Sequence, residues 1–145
     1  MVGRMWEGPP FSGAKVALLC DTRIVAYLRD DKAGIPFPAL WDLPGGGREP
    51  GESPVACALR EVEEEFGIAI AEDRVRSLRR YESSIAGGLD TYFCVVDVAP
   101  SEVERIRFGG EGQHWRLMEA AEFASLADAV PHLKDRLKHY LKART

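Results

Sequence analysis

Between Glu52 and Glu65 the chain carries five glutamates, Glu52, Glu61, Glu63, Glu64 and Glu65. Glu61, Glu64 and Glu65 are spaced i, i+3, i+4, which on a helix puts them on one side. Like charges at those spacings destabilise a helix by a few tenths of a kcal/mol per pair. Either an exposed acidic helix tolerates that cost, or a divalent cation relieves it. Hard ions such as Mg²⁺ prefer carboxylate oxygen and share their coordination with water and substrate phosphates. Just upstream stand Gly45, Gly46 and Gly47, which let backbone approach an ion or a phosphate closely. This glycine run has neither the G-K-[ST] ending of a P-loop nor the G-x-G-x-x-G spacing of a dinucleotide fold. Its weight as a signal comes from its place before the acidic segment.

The acidic segment reads as a helix over 53–66. Ser53 suits the cap, Pro54 the first turn, and Gly67 the stop. At roughly 100° per residue Val55, Leu59, Val62 and Phe66 form an apolar stripe, with the Glu61–Glu64–Glu65 side about 135° away. Glu63 belongs to neither side and reads as solvated.

The remaining elements must hold that helix and loop. Residues 1–12 read as an irregular lead-in. "AKVALLC" (14–20) and "RIVAYLR" (23–29) form a hairpin about Asp21-Thr22. Residues 30–40 are a loop, and 40–44 a short extended piece entering the glycines. Strands are expected over 74–84, 89–99 and 112–118, and a short helix over 119–126. An amphipathic helix over 130–143 has Leu133, Leu137, Tyr140 and Leu141 on its apolar side. Its Lys134, Arg136, Lys138 and Lys142 read as a solvated face. Tyr81, Tyr92 and Phe93 read as ordinary sheet residues, and Trp115 as core. The order predicts an α/β protein, a mixed sheet between helices in one domain over 1–145.

A length of 145 residues with 46% hydrophobic content suffices for one core. The net charge of −4 and pI near 5.4 argue against general nucleic-acid affinity. Cys20, Cys57 and Cys94 are odd in number and widely spaced, which suggests neither disulfides nor a zinc site; buried core thiols are expected. No segment has signal-peptide or membrane-span character, so the expected setting is cytoplasmic.

The stretch from Gly46 to Ile68 resembles the Nudix hydrolase signature, G-x5-E-x7-R-E-U-x-E-E-x-G-U. Gly46, Glu52, Arg60, Glu61, Val62, Glu64, Glu65, Gly67 and Ile68 match all of its fixed positions. A weaker likeness continues through "LWDLPGG" and "GEGQHWRLMEAAEF". The resemblance implies a Nudix fold, an α/β/α sandwich. It also implies metal-dependent hydrolysis of a nucleoside diphosphate linked to another moiety, with Mg²⁺ as cofactor and Mn²⁺ as substitute. By the same resemblance Glu61, Glu64, Glu65 and the Gly46 carbonyl hold metal. Glu61 or Glu111 is the base, Glu111 also being a candidate ligand. Arg60 and Glu52 orient helix and loop through an ion pair. Arg29 is a candidate phosphate contact, with a surface ion pair as its alternative. Trp41 either stacks on a base or fills the core. Gly45, Gly46 and Gly47 line the substrate. The expected partner is a small nucleotide, with no membrane, nucleic acid disfavoured, and a monomer or homodimer as the assembly.

Markers of several subfamilies are missing. No proline stands near Ser83, as in ADP-ribose hydrolases, and no tyrosine near Ile85, as in dinucleoside polyphosphate hydrolases. The zinc cysteines and tail of the NADH hydrolases are also absent. Short length and the W-x-L-P-G-G approach resemble MutT-like nucleoside triphosphate cleaners. A (d)NTP pyrophosphohydrolase, acting on oxidised nucleotides among others, is therefore the expectation. The alternatives are an ADP-ribose or dinucleotide pyrophosphatase and a nucleotide- or RNA-binding Nudix module.

Overall fold

The computed structural model describes residues 5–83 and 85–144. The first four residues of the expected lead-in, and Ser84 at the end of one expected strand, lie outside the described residues. Strands β1 (Phe11–Cys20) and β2 (Arg23–Leu28) form the hairpin, with Cys20 opposite Arg23 across the Asp21-Thr22 turn. Next come β3 (Trp41–Asp42), β4 (Gly45–Gly47) and helix α1 (Pro54–Phe66). A 3₁₀ turn over Glu72–Arg74 leads into β5 (Val75–Tyr81) and β6 (Asp90–Asp97). The chain closes with α2 (Pro100–Glu104), β7 (His114–Glu119), α3 (Ala120–Ser125) and α4 (Pro131–Arg144).

The sheet runs β3-β2-β1-β6-β5, with β4 pairing on β1 and β7 on β2. Among the described strand pairs β1 and β6 run parallel and the others antiparallel, so the sheet is mixed. A parallel pair needs a long crossover, and the segment holding α1 supplies it. Strand β1 is covered on both faces, which explains its almost unbroken apolar run. Val16, Leu18 and Cys20 join Cys57, Ala58, Leu59, Val62 and Phe66 of α1 in one core. Ala17 and Leu19 join Phe123 of α3 and Leu133 and Leu137 of α4 in the other. Helices thus flank the sheet on both sides.

Several sequence expectations shift. Strand β1 begins at Phe11, inside the expected lead-in, because Phe11 already pairs with Asp90 of β6; Trp6 packs edge-on against Phe11 at 6.2 Å and its backbone N–H donates to the Gly51 carbonyl (3.0 Å). The glycine run is strand rather than loop, paired with Gly13–Lys15 of β1. Helix α2 is an unanticipated element. Glu102 closes its first turn by accepting from Ala99 N (2.9 Å), and Arg74 grips the same carboxylate with two bonds of 2.7 Å. The apolar stripe of α1 is centred on Ala58, Leu59, Val62 and Phe66, with Cys57 inside it and Val55 only partly covered. Cys20, Cys57 and Cys94 are buried free thiols. No helix among the described residues is long and apolar enough to cross a membrane.

Candidate active site

The geometry starts from the ends of α1. Ser53 Oγ accepts from Ala56 N (3.1 Å), and the Gly67 N–H donates to the Glu63 carbonyl (2.9 Å) in a left-handed cap. With one stripe anchored in the core, the helix directs Glu61 and Glu65 toward β4 and leaves Glu64 56% exposed at the rim. Glu63 is exposed, away from the cluster.

Arg60 is the hub that joins helix and loop. Its Nε and Nη2 donate to the two oxygens of Glu52 (2.7 and 3.1 Å), and Nη2 also reaches the Gly47 carbonyl (2.7 Å). Its Nη1 reaches Glu61 (3.2 Å) and both oxygens of Glu64 (3.1 Å). Against the penalty of burial, these bonds hold the Glu52 carboxyl below the usual carboxylate range. Arg60 itself is pushed upward, chiefly by Glu52.

Burial dominates at the other two carboxylates. Glu65 Oε1 accepts from Gly45 N (2.9 Å), yet desolvation lifts its pKa to about 7. Glu61 is raised by desolvation and by the neighbouring Glu64. Gly45 is held at φ +134°, and a Cβ there would sit 2.2 Å from the Ala14 carbonyl oxygen. At Gly46 a Cβ would meet Glu61 Oε2 at 2.6 Å, so the missing side chain is what admits the glutamate.

The loop after α2 completes the cluster. Gly109 N donates to the Glu65 carbonyl (2.7 Å) and Arg107 N to the Phe66 carbonyl (2.9 Å), which moors that loop on the end of α1. Glu111 thereby faces Glu61, Glu64 and Glu65 across a pocket of about 140 Å³. Glu111 also borders a second pocket of about 250 Å³ with Tyr27, Arg29, Lys32 and Ile35. On the other side of the glycine strand, Gly46 and Gly47 share a pocket of about 240 Å³ with Lys15, His132 and Arg136.

Among the described residues no three His, Cys, Asp or Glu side chains already stand as a metal cage. The reason is visible: Glu61 and Glu64 lean on Arg60, while Glu65 leans on the Gly45 amide. The donor set nevertheless fits a hard divalent ion. Its oxygens share one pocket, burial makes their charge costly, and Gly46 leaves space beside Glu61.

Of the two alternatives for Trp41, the core is the one found: it is buried beside α3 and α4, edge-on to His114 (5.5 Å) and under Arg116 (5.8 Å). One sequence expectation changes. Arg136 is not simply solvated: it lies over the Tyr81 ring at 4.4 Å and lines the glycine-strand pocket. Arg29 is both an ion-pair partner, of Asp42 (2.8 Å), and part of the Glu111 pocket wall. Sequence reading missed Lys15, Tyr27 and Asp42. The one available signal was a lone charge inside the apolar strings "AKVALLC" and "LWDLP".

This site lies on a fold with a known class. The NUDIX domain profile matches residues 12–140, nearly the whole chain, and the chain belongs to the Nudix family. Among individual proteins it is similar to an RNA pyrophosphohydrolase of Dinoroseobacter shibae, 35% identical over 82 residues, 54% of this chain and 44% of that one. The chain spans less than half the length of the curated relatives it matches. The fold is similar to that of a NUDIX hydrolase from Nitrosomonas europaea, with TM-score 0.73, 22% identity, and coverage of 96% of this chain and 73% of that one. It is also similar to the MutT protein from Methanosarcina mazei Go1, with TM-score 0.68, 18% identity, and coverage of 97% and 99%.

Proposed function

We propose that this protein is a divalent-metal-dependent pyrophosphohydrolase acting on a nucleoside diphosphate linked to another moiety, with a (d)NTP as the leading substrate. The observation that supports this most is the convergence of Glu61, Glu64, Glu65 and Glu111 on one pocket, flanked by two pockets that carry cations. Glu61, Glu64, Glu65 and the Gly46 carbonyl would hold Mg²⁺ or Mn²⁺. A bound ion of this kind neutralises phosphate charge and acidifies water.

The chain's own residues supply position and charge. Arg60 and Glu52 lock the loop to the helix, and Arg29 and Lys32 offer donors to an anionic substrate from the Glu111 side. In the reaction a water oxygen bonds to phosphorus and the bridging P–O bond breaks. The electron pair leaves with pyrophosphate, and a carboxylate takes the water proton. Glu61 and Glu111 line one pocket and are the two candidates for that role. Glu111 lies outside the Arg60 network, whereas Glu61 is hydrogen-bonded within it.

A second reading has its own support. The similarity to an RNA pyrophosphohydrolase, together with Arg136 and His132 beside the glycine strand, favours the 5′ end of an RNA as the diphosphate. The deciding experiment is a substrate panel with Mg²⁺ and with Mn²⁺: dNTPs, oxidised dGTP, ADP-ribose, dinucleoside polyphosphates and 5′-triphosphorylated RNA. Release of monophosphate and pyrophosphate from a dNTP is expected. Turnover confined to the RNA would transfer the assignment to the second reading, and metal-independent or absent hydrolysis would overturn both.

A further inference from the structure

Beneath the carboxylate cluster lies a second charged group that the reaction described above does not use. Asp42 is 2% exposed, yet its Oδ2 accepts three hydrogen bonds, from Arg29 Nη1 (2.8 Å), Tyr27 Oη (3.0 Å) and Lys15 Nζ (3.1 Å). Its Oδ1 accepts from the Leu43 N–H (2.7 Å). A carboxylate taken out of water this fully is tolerated only when paired and hydrogen-bonded, and a single side chain here meets two cations.

Each cation leads elsewhere. Lys15 Nζ also donates to the carbonyls of Leu43 (3.1 Å) and Gly45 (3.5 Å), and the Gly45 N–H in turn donates to Glu65 Oε1 (2.9 Å). Arg29 donates through Nε to the Pro36 carbonyl (2.9 Å) and walls the pocket that contains Glu111. One buried oxygen is therefore the shared end of two arms. One arm runs to the glycine strand and Glu65, the other to the pocket that would take the anionic substrate.

We propose that Asp42 is a positioning residue, a buried anchor that fixes Lys15 beneath the glycine strand and Arg29 at the substrate pocket, and so sets the spacing between carboxylate cluster and phosphate-binding guanidinium. The assignment rests on the pyrophosphohydrolase reading for its kinetic consequence but not for the mechanical link. Asp42 is the carboxylate that both cations grip, and Tyr27, which lies under Lys15 Nζ at 5.9 Å, donates its hydroxyl to the same Asp42 oxygen. Nothing in the motif that carries the carboxylates requires a lysine at position 15.

The test separates link from reaction. In ¹⁵N-labelled, metal-free full chain, Lys15→Met is expected to shift the Arg29 Nε–H resonance. Arg29→Ala is expected to shift the Gly45 amide and to speed its hydrogen exchange by about ten-fold. An unmoved Arg29 resonance in Lys15→Met together with an unmoved Gly45 amide in Arg29→Ala would overturn the link. This holds even where Asp42→Asn does not fold and even if no nucleotide is turned over. With a hydrolysed dNTP and Mg²⁺, Asp42→Asn is expected to lower kcat about 30-fold and raise KM about five-fold per folded molecule, whereas Arg29→Ala acts mainly on KM. The Lys15→Met/Arg29→Ala double variant should lose clearly less than the product of the single losses. Multiplicative losses, or an Asp42→Asn protein with lowered Tm and unchanged kcat and KM, would refute the proposal. Wild-type inactivity on every nucleotide refutes the pyrophosphohydrolase reading alone.

Discussion

Glu65 shows how one side chain can hold the tension of the site. Its folded pKa of about 7 stands above the ordinary 4.5 because burial disfavours the charge. A raised carboxyl contributes stability that is complete below about pH 4.5 and lost as pH rises through 7. The metal-free wild type should therefore lose about 3 kcal/mol relative to Glu65→Gln between pH 4 and pH 8. Thermal melts of both proteins in EDTA across that range check it; parallel curves would contradict the burial argument. With Mg²⁺ and substrate, Glu64→Gln and Glu65→Gln should each lower turnover at least about 100-fold while the fold persists by circular dichroism. For the base, a smaller loss in Glu111→Ala than in Glu61→Ala would remove Glu111 from that role.

At the scale of the element, β4 and α1 act as one unit. Strand β4 lies against β1 where a Cβ at Gly45 would collide with Ala14 and Lys15, while one at Gly46 would meet Glu61 of α1. The two flanking substitutions should therefore behave differently. Gly46→Ala meets the flexible end of Glu61, so we expect a stability change below about 1 kcal/mol but a loss of turnover of about ten-fold or more. Gly45→Ala meets the Ala14 backbone at a positive φ and should cost several-fold more stability, read by urea midpoints. The cap of α1 has its own measure. Ser53→Ala should remove about 1 kcal/mol, with little change in kcat for the molecules that stay folded.

For the whole molecule, the two apolar layers leave the distal edge of the sheet to be tied by charge. Arg74 before β5 clasps Glu102 of α2 through two bonds of 2.7 Å, and chiefly that contact depresses the Glu102 carboxyl to about 2. A depressed carboxyl contributes stability present above about pH 4.5 and lost as pH falls through 2. Because Arg74 is partly exposed, the contribution is about 1–2 kcal/mol. Glu102→Gln should lose that amount at pH 7 and nothing near pH 2, in denaturant titrations at both values.

How much of this was legible depends on the range of the interaction. Helix α1, its caps, the Asp21-Thr22 hairpin and the Glu61–Glu64–Glu65 side follow from local periodicity and residue type, and the structure has them where the sequence puts them. The glycine strand reads as a loop from local sequence because glycine's preference opposes strand, and pairing with β1 overrides it. Helix α2 was missed because a five-residue helix has no periodicity to detect, and its Glu102–Arg74 tie spans distant positions. Trp41 could not be assigned between pocket and core, since a short strand exposes either face according to which neighbour it pairs with.

By itself the sequence determined the family, the acidic face of α1 and the order of the longer strands and helices, since each depends on spacing along the chain. The tertiary structure alone decided that Glu111 faces the helix carboxylates, that Gly46 makes room for Glu61, and that Asp42 is shared by Lys15 and Arg29. Those three facts join residues far apart in the chain, and burial, which sets the energy of a charge, is a property of the packed fold.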